Sequence, residues 1–272
     1  MSIFSLHHVT LGTADARSNV AYYTNTLGMR LVKKTVNFDD PSSYHLYYAN
    51  AAAAAGTAVT FFEWQGARRG APGIGGTARI TLRYGDGSGT AQFVRDPDGV
   101  EYVLRGDMHA GYAGLAEVEI WSSDLTRSDE FYSGALGLHG AQVSLNERTW
   151  SATPNDAPIV RAISKDPRQT PRARMGAGQT HHFAFAVSDD ATQQSFLNRL
   201  THAGLRVSPV MDRSYFHSIY TSDPDGHIVE IATVPPGFAI DEPIDSLGQA
   251  LKLPAWLEAH RSEIEGVLTP LP

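Results

Sequence analysis

The sequence predicts an α+β protein assembled from four β-α-β-β-β modules. Three repeated features predict it. A His-His pair heads two alternating strands, "LHHVTLGT" at 6–13 and "THHFAFAV" at 180–187. A helical pattern F/Y-Y-x-x-x-L-G occurs with Tyr22-Tyr23 and Leu27-Gly28, and again with Phe131-Tyr132 and Leu136-Gly137. The turn Asp-Pro-Asp-Gly stands at 96–99 and at 223–226, where Pro fixes φ and Gly supplies a positive φ.

The first module, residues 1–66, runs from the first doublet through a helix that stops at Gly28, a plausible C′ residue, to the strands "SYHLYYA" and "TAVTFFEW". An abbreviated copy follows at 74–106, with "GTARITLRY" and "AQFVRDPDGVEYVLRG". The third module, 113–166, opens on "GLAEVEIWSS". The fourth, 178–234, opens on the second doublet and closes on "SYFHSIYTSDPDGHIVEIATV". The stretches "QGARRGAPGIGG" and 166–178 read as linkers. An N-terminal domain is therefore expected at 1–108, a C-terminal domain at 109–234, and an outer helical tail at 235–272.

Composition narrows the function. The 272 residues carry a net charge of −7, which argues against nucleic acid or an anionic membrane as partner. There is no cysteine, so thiolate catalysis, disulfides and Cys-ligated metals are excluded. No signal peptide or membrane span is evident, and a cytoplasmic location is expected. The glycine run "GDGSGT" at 85–90 lies between strands and does not open a helix, so it is not read as a nucleotide loop.

The eleven histidines are then the main pool of metal ligands. Alternate side chains of a strand point to opposite faces. His8, Thr10 and Gly12 share one face, as do His182, Ala184 and Ala186, and the small neighbours leave room. His7 and His181 fall on the other, apolar face with Val9, Leu11, Phe183 and Phe185. A sheet curled into a half-barrel would direct the second histidine of each pair into its hollow. Glu230, an acid within the β-branched strand "HIVEIAT", is costly to bury unpaired and is the natural anionic partner. His45, in an aromatic strand with Tyr44, Tyr47 and Tyr48, could approach the cavity rim; it, His217 and the turn residue His227 are left outside the core site.

These modules, with "LGMRLVKKTVNFDDPSSYHLYYAN", "SYFHSIYTSDPDGHIVEIAT" and "LPAWLE", resemble the vicinal oxygen chelate superfamily (the glyoxalase, bleomycin-resistance and extradiol dioxygenase type). More narrowly, they resemble its hydroquinone-type ring-cleaving dioxygenases. The resemblance spans essentially the whole chain. It implies an Fe(II) ion held by His8, His182 and Glu230, with Mn(II) accepting the same ligands. It also implies roles beside the metal for His7, Thr10, His181, Arg213 and Tyr220. Aligning the modules puts Thr60 and Val103 where the fourth has Glu230, so module 1 is expected to pair with module 4 around the metal. Modules 2 and 3 are then a companion pair without ligands.

The resulting expectation is an Fe(II)-dependent dioxygenase that opens a small hydroquinone- or catechol-like ring with O2. A dimer or higher assembly is compatible with the acidic surface. A glyoxalase-type isomerase is the nearest rival, weakened by Thr60 where such sites carry a second acid. A non-catalytic quinone- or drug-binding protein is the other, weakened by the buried triad.

Overall fold

The computed structural model describes residues 2–271. Two sheets form it, and their strand orders show how the modules combine. The 8-stranded sheet joins module 1, with β1 (Ser5–Thr13), β2 (Arg30–Asn37), β3 (Asp40–Ala49) and β4 (Ala58–Glu63), to module 4. The 7-stranded sheet joins β5 (Thr77–Tyr84), β6 (Gln92–Arg95) and β7 (Glu101–Arg105) to β8 (Tyr112–Ser122), β9 (His139–Ser144), β10 (Glu147–Ser151) and β11 (Val160–Ser164). Module 4 supplies β12 (Thr180–Val187), β13 (Met211–Asp212), β14 (Phe216–Ser222) and β15 (Ile228–Pro236). The first sheet runs β13-β14-β15-β12-β1-β4-β3-β2, with β1 and β12 antiparallel at the seam. Module 1 thus pairs with module 4, and module 2 with module 3. In the abbreviated second module a turn at 85–91 stands where the others have a helix.

The repeated motifs meet one another. Helix α1 (Ala16–Ala21), capped by Asp15, and α2 (Leu125–Asp129), capped by Asp124, each run into a π-helical turn. Gly28 at φ +64° and Gly137 at φ +77° close them, a conformation glycine adopts without steric cost. Each π turn carries a buried tyrosine that reaches the first aspartate of an Asp-Pro-Asp-Gly turn. Tyr23 donates to Asp96 at 2.8 Å, and Tyr132 to Asp223 at 3.0 Å. These bonds tie module 1 to module 2 and module 3 to module 4, across the two sheets. The longer α3 (Asp190–His202) covers module 4, burying Phe196 and Leu200.

The convex face of the first sheet contributes Val9, Leu11, Phe183 and Phe185 to the main core. Its concave face carries a second apolar cluster that includes Val32, Tyr47, Ala184 and Phe216. Part of the tail, expected on the outside, enters this hollow: Phe238 and Leu247 pack there. The tail holds short 3-10 turns and α4 (Arg261–Val267). Among the described residues no helix is long and apolar enough to cross a membrane.

Candidate metal centre and its cavity

The concave face brings His8, His182 and Glu230 together. Strand register explains how. Thr10 faces His182 across the seam, and Ala184 lies beside Glu230 on parallel β15. The Nε2 atoms of His8 and His182 are 3.1 Å apart, and Glu230 Oε2 lies 3.3 Å from the first and 2.9 Å from the second. All three residues are buried. Three ligands on one face of an octahedron with bonds of about 2.1 Å lie about 3 Å apart, so this spacing fits a first-row divalent ion. Glu230 Oε1 accepts from Ser218 Oγ, while Oε2 is buried with no hydrogen-bond partner. A fully buried carboxylate oxygen left bare toward two imidazoles is what a metal would satisfy. Burial alone would raise the Glu230 carboxyl; the imidazoles of His8 and His182 outweigh it and hold the group well below the usual carboxylate range.

His7 and His181 do not stay on the apolar face that strict alternation assigns them. The β1–β12 register passes from Leu6↔Phe185 to His8↔Ala184, and from Thr10↔His182 to Leu11↔Thr180. Each first histidine is therefore the extra residue of a β-bulge, and a bulge re-aims its side chain. His7 Nδ1 meets His8 Nδ1 at 2.8 Å, and His181 Nδ1 meets His182 Nδ1 at 2.7 Å. Both inner histidines thus have Nδ1 engaged and Nε2 directed at the candidate metal. Burial and the neighbouring His8 lower His7 to about 3, and burial and His182 lower His181 to about 4. All four histidines gather on the concave side.

A cavity of about 360 Å3 opens over the triad. His181, Phe62 and Trp64 form one wall, Phe216, Tyr220 and Arg213 another, and the β2–β3 turn at Asn37–Asp39 lies at its edge. Arg213 Nε donates to Tyr220 Oη at 3.2 Å, and Arg213 Nη1 reaches Asp39 at 3.2 Å. Burial and the nearby Glu230 raise the Tyr220 phenol, which keeps its proton. Thr10 does not face open space; its hydroxyl bonds Thr60 Oγ1 at 2.8 Å.

His45, left outside the core site, also lines the cavity. Its Nε2 lies 2.9 Å from Thr60 Oγ1 and its Nδ1 2.9 Å from Tyr47 Oη. The signal for it was present in the alternation of β3, which sets His45 and Tyr47 on one face. His227 is a buried turn residue bonded to Asp223 and to the Gly76 carbonyl, and His217 pairs with Asp190 away from the cavity.

The companion sheet repeats the geometry with other chemistry. Register puts Arg79 where the first sheet has His8, Glu117 where it has His182, Arg161 where it has Glu230 and Val103 where it has Thr60. Arg161 pairs with Glu117 at 2.8 Å and Arg79 with Glu101 at 3.2 Å.

Paired β-α-β-β-β modules around a buried His-His-Glu cluster define a metal-centred class of paired half-barrels. The chain belongs to the Glyoxalase/Bleomycin resistance protein/Dioxygenase superfamily, whose model matches residues 5–84 and 114–231. It is 33% identical to MhqO of Bacillus subtilis (strain 168), named as a ring-cleaving dioxygenase, over 97% of this chain and 96% of that one. It is 28% identical to the chlorohydroquinone/hydroquinone 1,2-dioxygenase of Sphingobium indicum, over 95% and 94%. A crystal structure titled as a dioxygenase from Bacillus subtilis superposes with a TM-score of 0.90 at 30% identity, covering 100% of this chain and 98% of that one. Glyoxalase I from Zea mays shares the fold with a TM-score of 0.62 at 17% identity, covering 84% and 92%.

Proposed function

We propose that the protein is an Fe(II)-dependent ring-cleaving dioxygenase acting with O2 on hydroquinone-like or related electron-rich phenols. One observation carries this reading. The three donor atoms of His8, His182 and Glu230 lie within 3.3 Å of one another at the floor of an aromatic cavity. Two imidazoles and one carboxylate would hold a metal from one side, and the cavity over them would admit substrate and gas.

Held by His8, His182 and Glu230, Fe(II) would supply a coordination site for a phenolate and for dioxygen and a means of electron transfer between them. The chain's own residues do the rest. His7 and His181 hold the two ligand rings by their Nδ1 atoms, which fixes ring orientation. Arg213 brings a fixed positive charge to the cavity wall, suited to an anionic ring oxygen. Tyr220 accepts from Arg213, which leaves its proton for an oxygen in the cavity. Phe62, Trp64 and Phe216 offer apolar faces to a flat ring. An isomerase of the glyoxalase type would want a second carboxylate at the fourth strand position. Thr60 stands there, bonded to Thr10 and His45.

Oxygen uptake by protein loaded anaerobically with Fe(II), against a panel of hydroquinones and catechols, tests the reading. Uptake that matches ring-opened product and vanishes in His8→Ala supports it. Stoichiometric iron with no uptake on any phenol sinks it and moves the isomerase reading to first place. Parallel loading with Mn(II) decides the metal.

A further inference from the structure

The half-barrel holds a cavity on each side of the buried triad. On β4, Phe62 and Trp64 line the main cavity, while Ala58, at the start of the strand, lines a second one of about 320 Å3. On β15, Ile228 lines the main cavity and Val234 the second, with Glu230 between them. The second cavity begins at the alanines 53–55 of the β3–β4 loop, of which Ala54 and Ala55 are exposed, and runs inward to the buried His7. Phe216 is common to both cavities. Its ring centroid lies 4.9 Å from that of His7 and 5.1 Å from that of His8. Phe216 and the His7–His8 pair are thus the partition between the second cavity and the metal cluster.

The lining decides what the second cavity can hold. Apart from His7 and Tyr215 it consists of alanine, valine, proline, glycine and phenylalanine. Both polar side chains are already engaged. Tyr215 Oη donates to Asp241 at 3.1 Å, and His7 bonds His8 through Nδ1 and also the Thr233 backbone. The main cavity, by contrast, presents Arg213, Tyr220, His45 and His181. A resident water needs several polar partners, and a phenol lodged in the second cavity would leave its hydroxyls without a side-chain partner. Dioxygen, small and apolar, needs none.

We propose that the second cavity is a dioxygen site, in which the gas enters at Ala53–Ala55, collects against His7 and Phe216, and passes them to reach the His8–His182–Glu230 cluster. The inference rests on the ring-cleaving reading and gives its second substrate a port of its own. An aromatic ring seated over the triad fills the approach beside Phe62, Trp64 and Arg213. A port on the other side lets gas arrive after the ring is in place. The difference in lining then sorts the two substrates: the polar cavity takes the phenol, and the apolar one takes the gas.

The test uses xenon as an apolar gas probe and a plug at the mouth, Ala54→Trp with Ala55→Trp in one variant. Both alanines are exposed, so the plug leaves the core untouched. In crystals of the full chain under xenon pressure, xenon should lodge between Ala53, His7 and Phe216 in wild type and be absent from the plugged variant. In iron-loaded protein the plug should lower kcat/KM for O2 by about tenfold, while iron stoichiometry and anaerobic binding of the phenol stay within about twofold. A wild-type cavity free of xenon would overturn the proposal. So would an unchanged kcat/KM for O2 in the plugged variant, which would send the gas through the main cavity. Equal loss of phenol binding would make the second cavity part of the phenol site and overturn it as well. If xenon lodges there but wild type consumes no oxygen with any phenol, the ring-cleaving reading falls while the gas site stands.

Discussion

The Nδ1 atoms of His181 and His182 lie 2.7 Å apart, so one of the two must carry the proton between them. With His182 Nε2 pointing at Glu230, a metal-ligating His182 is protonated at Nδ1 and donates to His181. His181 is then protonated at Nε2, and it lines the cavity. His7 stands in the same relation to His8 but outside the cavity lining, against Phe216 at 4.9 Å.

That difference separates their variants. His7→Phe should lower metal affinity by about 10–100-fold, with kcat restored once iron is saturating. His181→Phe should lower affinity similarly and also depress kcat/KM at saturating iron, because it removes an N–H from the cavity. Iron titration followed by oxygen uptake at saturation checks both. A His181 variant fully rescued by iron would remove any role toward substrate.

Much of this site was legible in the chain. Period-2 alternation sets His8 and His182 on faces with small neighbours, the β-branched strand around Glu230 marks it as a buried acid, and motif alignment puts Thr60 at the place of Glu230 in module 1; all follow from local rules. His7 and His181 were named by the resemblance, but alternation put them on the wrong face, because a β-bulge is a two-strand property. It appears only when β1 and β12 are laid in register. His45 was left outside the core site because its bond to Thr60 exists only once β4 is packed beside β3. The tail was misread for a related reason. Short apolar residues such as Phe238 and Leu247 declare no destination until the half-barrel leaves a hollow for them.

The His227–Asp223 pair should give a distinct pH signature. Burial lowers the His227 imidazole, but Asp223 raises it more, and the net pKa lies above 6.5. Burial raises Asp223, but His227 and the turn outweigh it, and the net lies below 3.8. The histidine contribution is therefore complete below pH 6.5 and fades as pH rises through the raised folded value. The aspartate contribution is complete above pH 3.8 and fades as pH falls through the lowered one. Thermal denaturation of wild type and His227→Gln should show the largest gap between those limits, narrowing on the alkaline side. A gap that widens above pH 7 would reverse the assignment.

Gly12 lies on β1 with the Trp64 ring across it; a Cβ there would sit 2.2 Å from the ring. Gly12→Ala should force Trp64 aside at a cost of about 1–3 kcal/mol. Trp64 lines the cavity, so the substitution should also raise KM for bulky phenols while leaving iron affinity intact. Urea denaturation and a substrate-size series test this. Unchanged stability would mean that Trp64 moves freely and does not define the wall.

Lys33 is fully buried on β2 and bonds Asp241 at 2.5 Å and the buried Glu242, with its ammonium 4.8 Å from the Tyr215 ring centroid. Both carboxylates belong to the tail, so this one side chain fastens the tail over the hollow that Phe238 and Leu247 fill. Breaking a buried pair by removing one partner is costly because the other charge is left without compensation. Lys33→Met should destabilise the protein by about 3–5 kcal/mol. A Glu242→Gln change in that background should recover part of the loss. Limited proteolysis should show the tail beyond residue 237 cleaved early in Lys33→Met and protected in wild type. Protection equal to that of wild type would mean that the apolar contacts of Phe238 and Leu247 hold the tail without the lysine.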